Sequence, residues 1–334
     1  MIDDFARRLA GLVGLTDPPR VAKDPITEQA IRIWCEAVGD ENPAYQDPAW
    51  AAASRWGGII APATSLNMWT LPGNRRTHRQ GESLDRVNAV LAERGYTSVA
   101  AVQTSHRYAR PLRPGELLAQ YPSITAVSSQ KSTRLGRGHF VDLLSEYRTL
   151  AGESVGSVLL RMLRWDPRTR PPEPAGRATG GPPGHPWPVP PPVRRPRATA
   201  TLLPAQLRPG GHLPPATIPV TQASIAALAT ATHDFNDVHL DRDAAQARGA
   251  RDVYMNILGT AGLINCYLTD WAGPEAEIVA FDARLAVQNH PGDTLQLTGA
   301  VTSVNGPIVT VDVRGSNSLG DHVLATARVN LVVQ

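Results

Sequence analysis

Residues 27–53 and 221–247 carry the same pattern at a constant spacing of 194, and this repetition limits the chain to a fold that can be built twice. In the first copy Ile31, Trp34, Cys35 and Val38 recur at helical spacing after Thr27, and the helix is expected to end at Gly39 and Asp40. In the second copy Thr221 is the N-cap candidate, Ile225, Leu228 and Ala229 turn inward, and His233 and Asp234 close the helix. The two copies align without a gap. Asp40 falls on Asp234, Asn42 on Asn236, Asp47 on Asp241, Ala51 on Ala245 and Ala53 on Ala247. A helix and the turn after it are encoded twice.

A second echo follows in each half. Pro114-Gly115-Glu116 and Pro291-Gly292-Asp293 both precede alternating apolar residues. Pro then Gly suits the central positions of a type II turn, because Gly accepts the positive φ required there, so strands are expected to begin at both points. In the second half "EIVAFDARLAVQ", "TLQLTGAVTSV", "IVTVDVRGSN" and "HVLATARVNLVV" read as four strands with period-two alternation. Before them "NILGTAGLINCYLTDWAG" is almost wholly apolar and too long for a strand. A helix apolar on all sides has to be wrapped. The expectation is an α+β chain made of two curved antiparallel sheets, each wrapped round a central apolar helix.

Between the copies, residues 166–216 hold 16 of the 30 prolines and seven arginines against two acidic residues, so the rest of the chain is slightly acidic despite a net charge of +3. Such a composition favours extended polyproline II, and the segment reads as a semi-rigid spacer whose arginines keep it solvated. "PWPVPPPVRR" within it also has the form of an SH3-type ligand. The expected organisation is a first domain over 1–165, a linker over 166–212 and a second domain over 213–334. With the basic charge confined to the linker and aromatics at 5%, no phosphate-tracking stripe or base-stacking platform is expected, hence no nucleic-acid partner. Cys35 and Cys266 are too few for a disulfide framework and too isolated for a zinc site, so no metal is expected. The opening "MIDDFARRLAGLVGL" reads as an amphipathic helix and no segment approaches a membrane span, so a cytoplasmic, soluble protein is expected.

The turn "THDFNDVHLD" at 232–241 is where chemistry is expected. On its residues alone it also reads as a polar helix end, since Asp and Asn side chains bond their own backbone in such turns. Three features favour a site. Asp234 and His239 are five residues apart across a turn, which can bring both side chains to one point. The loop then enters the buried helix near Asn256 and Ile257, whose free backbone N–H groups suit a developing oxyanion. The parallel turn keeps Asp40 and Asn42 but has Tyr45 where the second has His239. The remaining candidates are weaker. His106, His139, His290 and His322 are scattered without metal spacing, and Arg137, with Lys131 nearby, lies in a glycine-rich string, "RLGRGHF".

Asp234, Asn236, Val238, His239 and Asp241 match the D-x-N-P-[LIV]-H-x-D motif of the MaoC-like, R-specific enoyl-CoA hydratases, with Asp237 in place of the usual proline. The second half resembles that family, and its stretch from Asp234 to Pro274 is similar to the hydratase subunit that actinobacteria use in steroid side-chain shortening. The first half, with "GDENPAYQDPAW", "SHRYARPLRPGE" and "QKSTRLGRGHFV", looks like the histidine-less dehydratase-like domain of the same superfamily. The resemblance implies a double hot-dog with one active site, adding water to a trans-2-enoyl-CoA to give a (3R)-3-hydroxyacyl-CoA. Asp234 and His239 are then the catalytic pair, backbone N–H groups near Asn256 and Ile257 take the thioester oxygen, and Asn236 orients the loop. Asp40 and Tyr45 are expected to bind or shape substrate, and Arg137 or Lys131 to meet a coenzyme A phosphate. No cofactor is implied, since the coenzyme A thioester is the substrate. A degenerate first half suggests a bulky acyl group, and hot-dog sheets that extend edge to edge suggest a homodimer. Two other readings stay open: a non-catalytic acyl-CoA or protein-binding module, and a dehydratase or thioesterase on the same fold.

Overall fold

A computed structural model describes residues 4–74, 82–171 and 197–331. The first half contains α1 (Asp4–Ala10), β1 (Arg20–Val21), α2 (Glu28–Val38), α3 (Pro43–Gln46), α4 (Pro48–Ala53), α5 (Ser83–Ala92), β2 (Ser98–Tyr108), β3 (Leu118–Val127), β4 (Lys131–Thr133), β5 (Gly136–Thr149) and β6 (Ser154–Trp165). The second contains β7 (His212–Pro219), α6 (Gln222–Ala231), α7 (Arg242–Ala247), α8 (Ile257–Ala272), β8 (Glu277–Leu285), β9 (Thr294–Asn305), β10 (Ile308–Asn317) and β11 (Gly320–Asn330).

Local chemistry sets the repeated helices. The Thr27 side chain accepts from the Ala30 N–H at the start of α2, and Gly39 ends it in the left-handed conformation at φ 71°. Thr221 and Ser224 cap α6 reciprocally. The faces buried on α2 (Ile31, Trp34, Cys35, Val38) and α6 (Ile225, Leu228, Ala229, Ala231) are the apolar ones. The two Pro-Gly turns also recur: Gly115 and Gly292 have φ 91° and 89°. Their N–H groups donate to Ile26 and Val220 respectively. Strands β3 and β9 start just beyond them.

The strands form one eleven-stranded antiparallel sheet in the order β1-β3-β5-β6-β2-β8-β11-β10-β9-β7, with β4 paired to β5. The halves join where Gln103–Arg107 of β2 pairs with Ala280–Arg284 of β8. Edge-to-edge pairing makes the two curved sheets of the double hot-dog continuous. In the second half the sheet encloses α8, all of whose residues except Ile257 and Trp271 are buried. No helix among the described residues is long and apolar enough to cross a membrane.

The first half is filled differently from the expectation of a matching central helix. At the position equivalent to the start of α8 it has two short 3-10 turns, Ala63–Ser65 and Met68–Thr70. Pro62 and Pro72 bracket this segment, and a proline ends helix because it lacks an N–H and constrains the residue before it. Helices α1 and α5 instead build a small second core, where Phe5, Leu9, Val87 and Leu91 meet Ile124 and Val141.

The proline-rich segment also departs from a solvated spacer at its C-terminal end. "PWPVPPPVRR" lies outside the described residues, but the chain from Arg197 onward is docked: Ala198 N–H donates to the Asp270 carbonyl and Leu202 N–H to that of Ala272, both at 2.8 Å. Arg197 is half-buried rather than freely solvated. Strand β7 then begins inside the region of high proline content. It is an edge strand bonded only to β9, and its register jumps between Leu213 and Ala216, so Pro214 and Pro215 occupy an irregularity where no ladder N–H is needed.

Candidate active site

The second copy of the helix-turn places Asp234 and His239. His233 at φ 56° is the single non-glycine residue with positive φ among the described residues, and it stands where the first copy has Gly39. That conformation costs a side chain about 1–2 kcal/mol. It lets the Asp234 N–H turn back to the Ala229 carbonyl at 3.0 Å, as Asp40 N–H does to Cys35 at 2.8 Å. Asn236 then precedes a single 3-10 turn, Asp237–His239, and Asp241 caps α7 by accepting from the Ala244 N–H. Asp237, in the place of the motif's proline, is held by Arg248 at 2.6 Å; Arg248 also donates to the Asn236 side chain at 3.2 Å.

His239 is 7% exposed. Its Nδ1 lies 2.6 Å from the Tyr254 carbonyl oxygen, which only accepts, so Nδ1 carries the proton. Nε2 is left facing Asp234 Oδ2 at 3.5 Å. The Tyr254 ring packs edge-on against the imidazole with centroids 5.1 Å apart. On the other side of the carboxylate, Asn256 Nδ2 donates to Asp234 Oδ2 at 3.2 Å and to Thr232 Oγ1 at 2.8 Å. Its Oδ1 accepts from the Gly259 N–H at 2.8 Å. Asn256 therefore caps α8 and fixes Asp234 at once. Burial pushes the Asp234 carboxyl up, but the neighbouring His239, the Asn256 amide and the Asn236 N–H outweigh it and hold the group below the usual aspartate range. The carboxylate stays ionised at neutral pH. The N–H groups of Ile257 and Leu258, in the first turn of α8, have no partner within the helix and carry the positive end of its dipole.

The first copy of the turn is built alike and used otherwise. Asn42 N–H donates to Asp40 Oδ1 at 2.9 Å and Asn42 Oδ1 caps α3 through Ala44. The Asp40 side chain has no exposed surface, and Arg197 bridges it at 2.6 Å and Asp270 of α8 at 2.5 Å. Asp40 is enclosed by the protein, with Oδ1 bonded to Asn42 and Arg197 and Oδ2 without a hydrogen-bond partner among the described residues. Cys266 and Asp270 come within metal-binding reach of Asp40, but the guanidinium of Arg197 supplies the positive charge there. Tyr45 is buried, its phenol pushed up by burial, and lines a narrow cavity between the halves.

The other expected candidates lie on separate elements. Arg137 and Lys131 are on the β4–β5 hairpin of the first half, not on the elements that carry Asp234 and His239. His106 bonds Thr104, His139 bonds the Ser128 carbonyl, and His290 that of Val253. His322 bonds the Val287 carbonyl through Nδ1 and Thr260 of α8 through Nε2. All four are buried. Thr232, Tyr254 and Arg248, which support Asn256, His239 and Asn236, were not anticipated. Thr232 is the first residue of the quoted turn and so stood within reach of sequence reasoning, whereas Tyr254 acts through its carbonyl, which no side-chain pattern reveals.

Both halves of the chain are similar to domains of known proteins. The description "FAS1-like, dehydratase domain region" matches residues 16–158 and "MaoC like domain" matches residues 205–319. A probable enoyl-CoA hydratase alpha subunit of Thermomonospora curvata is 36% identical over 170 residues, covering 50% of this chain and 53% of that protein. The beta subunit of 3-oxo-4,17-pregnadiene-20-carboxyl-CoA hydratase from Mycobacterium tuberculosis is 49% identical over 107 residues, covering 32% of this chain and 83% of that protein. The chain thus spans only about half the length of the first of these relatives. Among solved structures, a MaoC-like dehydratase superposes with a TM-score of 0.74 at 19% identity, covering 97% of this chain and 100% of its own. A conserved hypothetical protein of Mycobacterium tuberculosis described as a double hotdog fold superposes with a TM-score of 0.61 at 16% identity, over 96% of each chain.

Proposed function

The chain belongs to the MaoC-like dehydratase family, and from that premise we propose that it is an enoyl-CoA hydratase with one active site, at Asp234 and His239. The observation that carries this reading is the pairing of Asp234 Oδ2 and His239 Nε2 at 3.5 Å, with the Nδ1 proton tied to a carbonyl, beside the N-terminus of α8. A water held between the two side chains attacks C3 of a trans-2-enoyl thioester. His239 Nε2 takes one of its protons as the C3–O bond forms. The electrons of the C2–C3 double bond move onto the thioester oxygen, where the Ile257 and Leu258 N–H groups receive the negative charge. The same proton then returns to C2, giving the (3R)-3-hydroxyacyl-CoA and a neutral imidazole. Asp234, ionised, orients the water and stabilises the transient imidazolium. Asn256 and Asn236 position the carboxylate and its loop.

The two short turns in place of a central helix in the first half support a bulky acyl group, of the steroid class named for the Mycobacterium tuberculosis relative. No cofactor takes part, a cytoplasmic location fits the chemistry, and pairing of two chains belongs to the same reading. Loss of the conjugated enoyl absorbance, followed over medium-chain, branched and steroid enoyl-CoAs, tests it directly. Replacing Asp234 by Asn or His239 by Ala should lower turnover by roughly 10²–10⁴. Undiminished turnover in either variant removes the site. Release of free thiol identifies hydrolysis instead, and binding without turnover identifies a non-catalytic module.

A further inference from the structure

The outer face of the second-half sheet carries its charge in two rows. Across β8, β11 and β10 the register sets Asp282, Thr326 and Asp312 side by side, and two residues along the same strands it sets Arg284, Leu324 and Arg314. The intervening Ala283, Ala325 and Val313 belong to the buried core on the other face. One row is acidic and the next is basic, about 7 Å away. The rows do not bond to one another within the chain: Asp282 is held by Arg107 at 3.0 Å, Asp312 accepts from Thr326 at 2.7 Å and Arg314 bonds Asp321 at 2.6 Å. Arg284 is exposed and has no bonding partner among the described residues. Leu324, in the middle of the face, is 39% exposed. An open groove of about 760 Å³ crosses the same face, from Gln103 of β2 to His212 of β7.

This pattern is complementary to itself. A half-turn about an axis that lies in the face, across the strands and midway between the rows, sets each acidic row over the basic row of a second copy. Twisted sheets pack face to face in this aligned manner. We propose that this face binds a second copy of the chain. Asp282 and Asp312 then meet the partner's Arg284 and Arg314, the converse pairs form by symmetry, and Leu324 lies against the partner's Thr326. Five strands about 4.8 Å apart and about ten residues long give a face of roughly 24 by 33 Å, of the order of the ~800 Å² per partner that a stable interface buries. The sheet edges are poor templates for the same purpose. At one end β7 carries Pro214, Pro215 and an irregular register, and at the other the chain between Gly14 and Ala22 bonds along β3. The proposal rests on the pairing of two chains in the reading above and gives that pairing its surface.

Analytical sedimentation of the full chain tests it. At about 10 μM the natural chain should run as a dimer. Asp282→Lys with Asp312→Lys, and separately Arg284→Glu with Arg314→Glu, set like charges opposite one another, and each double variant should raise the dissociation constant about tenfold or more. Mixed in equal amounts, the two double variants present opposite charges and should pair with each other. A monomeric natural chain, a dimer that either double variant leaves unweakened, or a mixture that stays unpaired overturns the proposal. Where a double variant fails to fold, Arg284→Glu alone decides, because Arg284 bonds no described residue of its own chain. Weakened association then supports the proposal and an unweakened dimer overturns it. Sedimentation reads no turnover, so the hydratase reading is scored separately. A chain that pairs through this face but hydrates nothing keeps this proposal and loses that reading, and one that hydrates as a monomer does the reverse.

Discussion

Arg197→Leu probes the contact by which the returning linker joins the two halves. Arg197 bonds Asp40 of the first half at 2.6 Å and Asp270 of α8 at 2.5 Å, and the Asp40 side chain has no exposed surface. Without the guanidinium, Asp40 either stays ionised with no counter-charge or takes up a proton. The second course limits the loss, at ~1.36 kcal/mol for each pH unit above an ordinary aspartate pKa near 3.9. That is about 4 kcal/mol at pH 7 and about 1.5 kcal/mol at pH 5. The first figure agrees with the roughly 3–5 kcal/mol seen when one partner of a buried pair is removed. Burial already raises the Asp40 pKa on folding even beside Arg197. Its favourable contribution is therefore fully present below the unfolded pKa and is lost as the pH rises through the folded one. Removing Arg197 raises the folded value further, so the gap between the natural chain and the variant should widen from pH 5 to pH 7. Urea denaturation at both pH values measures it, and adding Asp40→Asn should recover most of the loss at pH 7. An equal loss at both pH values, or no recovery in the double variant, refutes the reasoning.

Three further outcomes are expected. Gly262→Ala places a Cβ 2.8 Å from Val38 Cγ1 and 2.9 Å from Trp34 Cζ2, where α2 crosses α8, and should cost ~1–3 kcal/mol in thermal or urea denaturation. Asn256→Ala removes the α8 cap, for about 1 kcal/mol of stability. It also removes a hydrogen bond that lowers the Asp234 pKa, so the acid limb of kcat/KM should move to higher pH; an unmoved limb separates Asp234 from that ionisation. Burial depresses the His322 pKa to about 4, so the stability it contributes is complete above the ordinary histidine pKa and lost as the pH falls towards 4. His322→Gln should therefore cost about 2 kcal/mol less at pH 5 than at pH 7, as read by paired denaturation curves.

Much of the architecture was legible because it rests on interactions between near neighbours in the chain. Thr27, Thr221 and Asp241 cap helices through N–H groups three residues on, and the two Pro-Gly turns close within four residues, so a short window contains each device complete. Periodicity identified the inner faces of α2 and α6 and the wrapped helix α8 for the same reason. The departures arose where a local signal had a distant explanation. Pro214 and Pro215 argue against a strand until β7 is placed at a sheet edge with an irregular register. Pro62 and Pro72 were visible, but only the folded chain shows that the first half fills the space with turns and seats α1 and α5 elsewhere.

By itself the sequence determined that one helix-turn occurs twice, that both copies bear an aspartate and an asparagine at equivalent places, and that the second alone bears a histidine. Those are properties of a short window. Which aspartate is open to chemistry was decided by the tertiary structure. Asp40 is bound by Arg197, 157 residues away in the chain, and sealed, while Asp234 meets an amide from the start of α8 and keeps its charge beside His239. The state of a carboxylate depends on what surrounds it in space, through burial and charge. Two turns of the same build therefore acquired different roles only once the chain had folded around them.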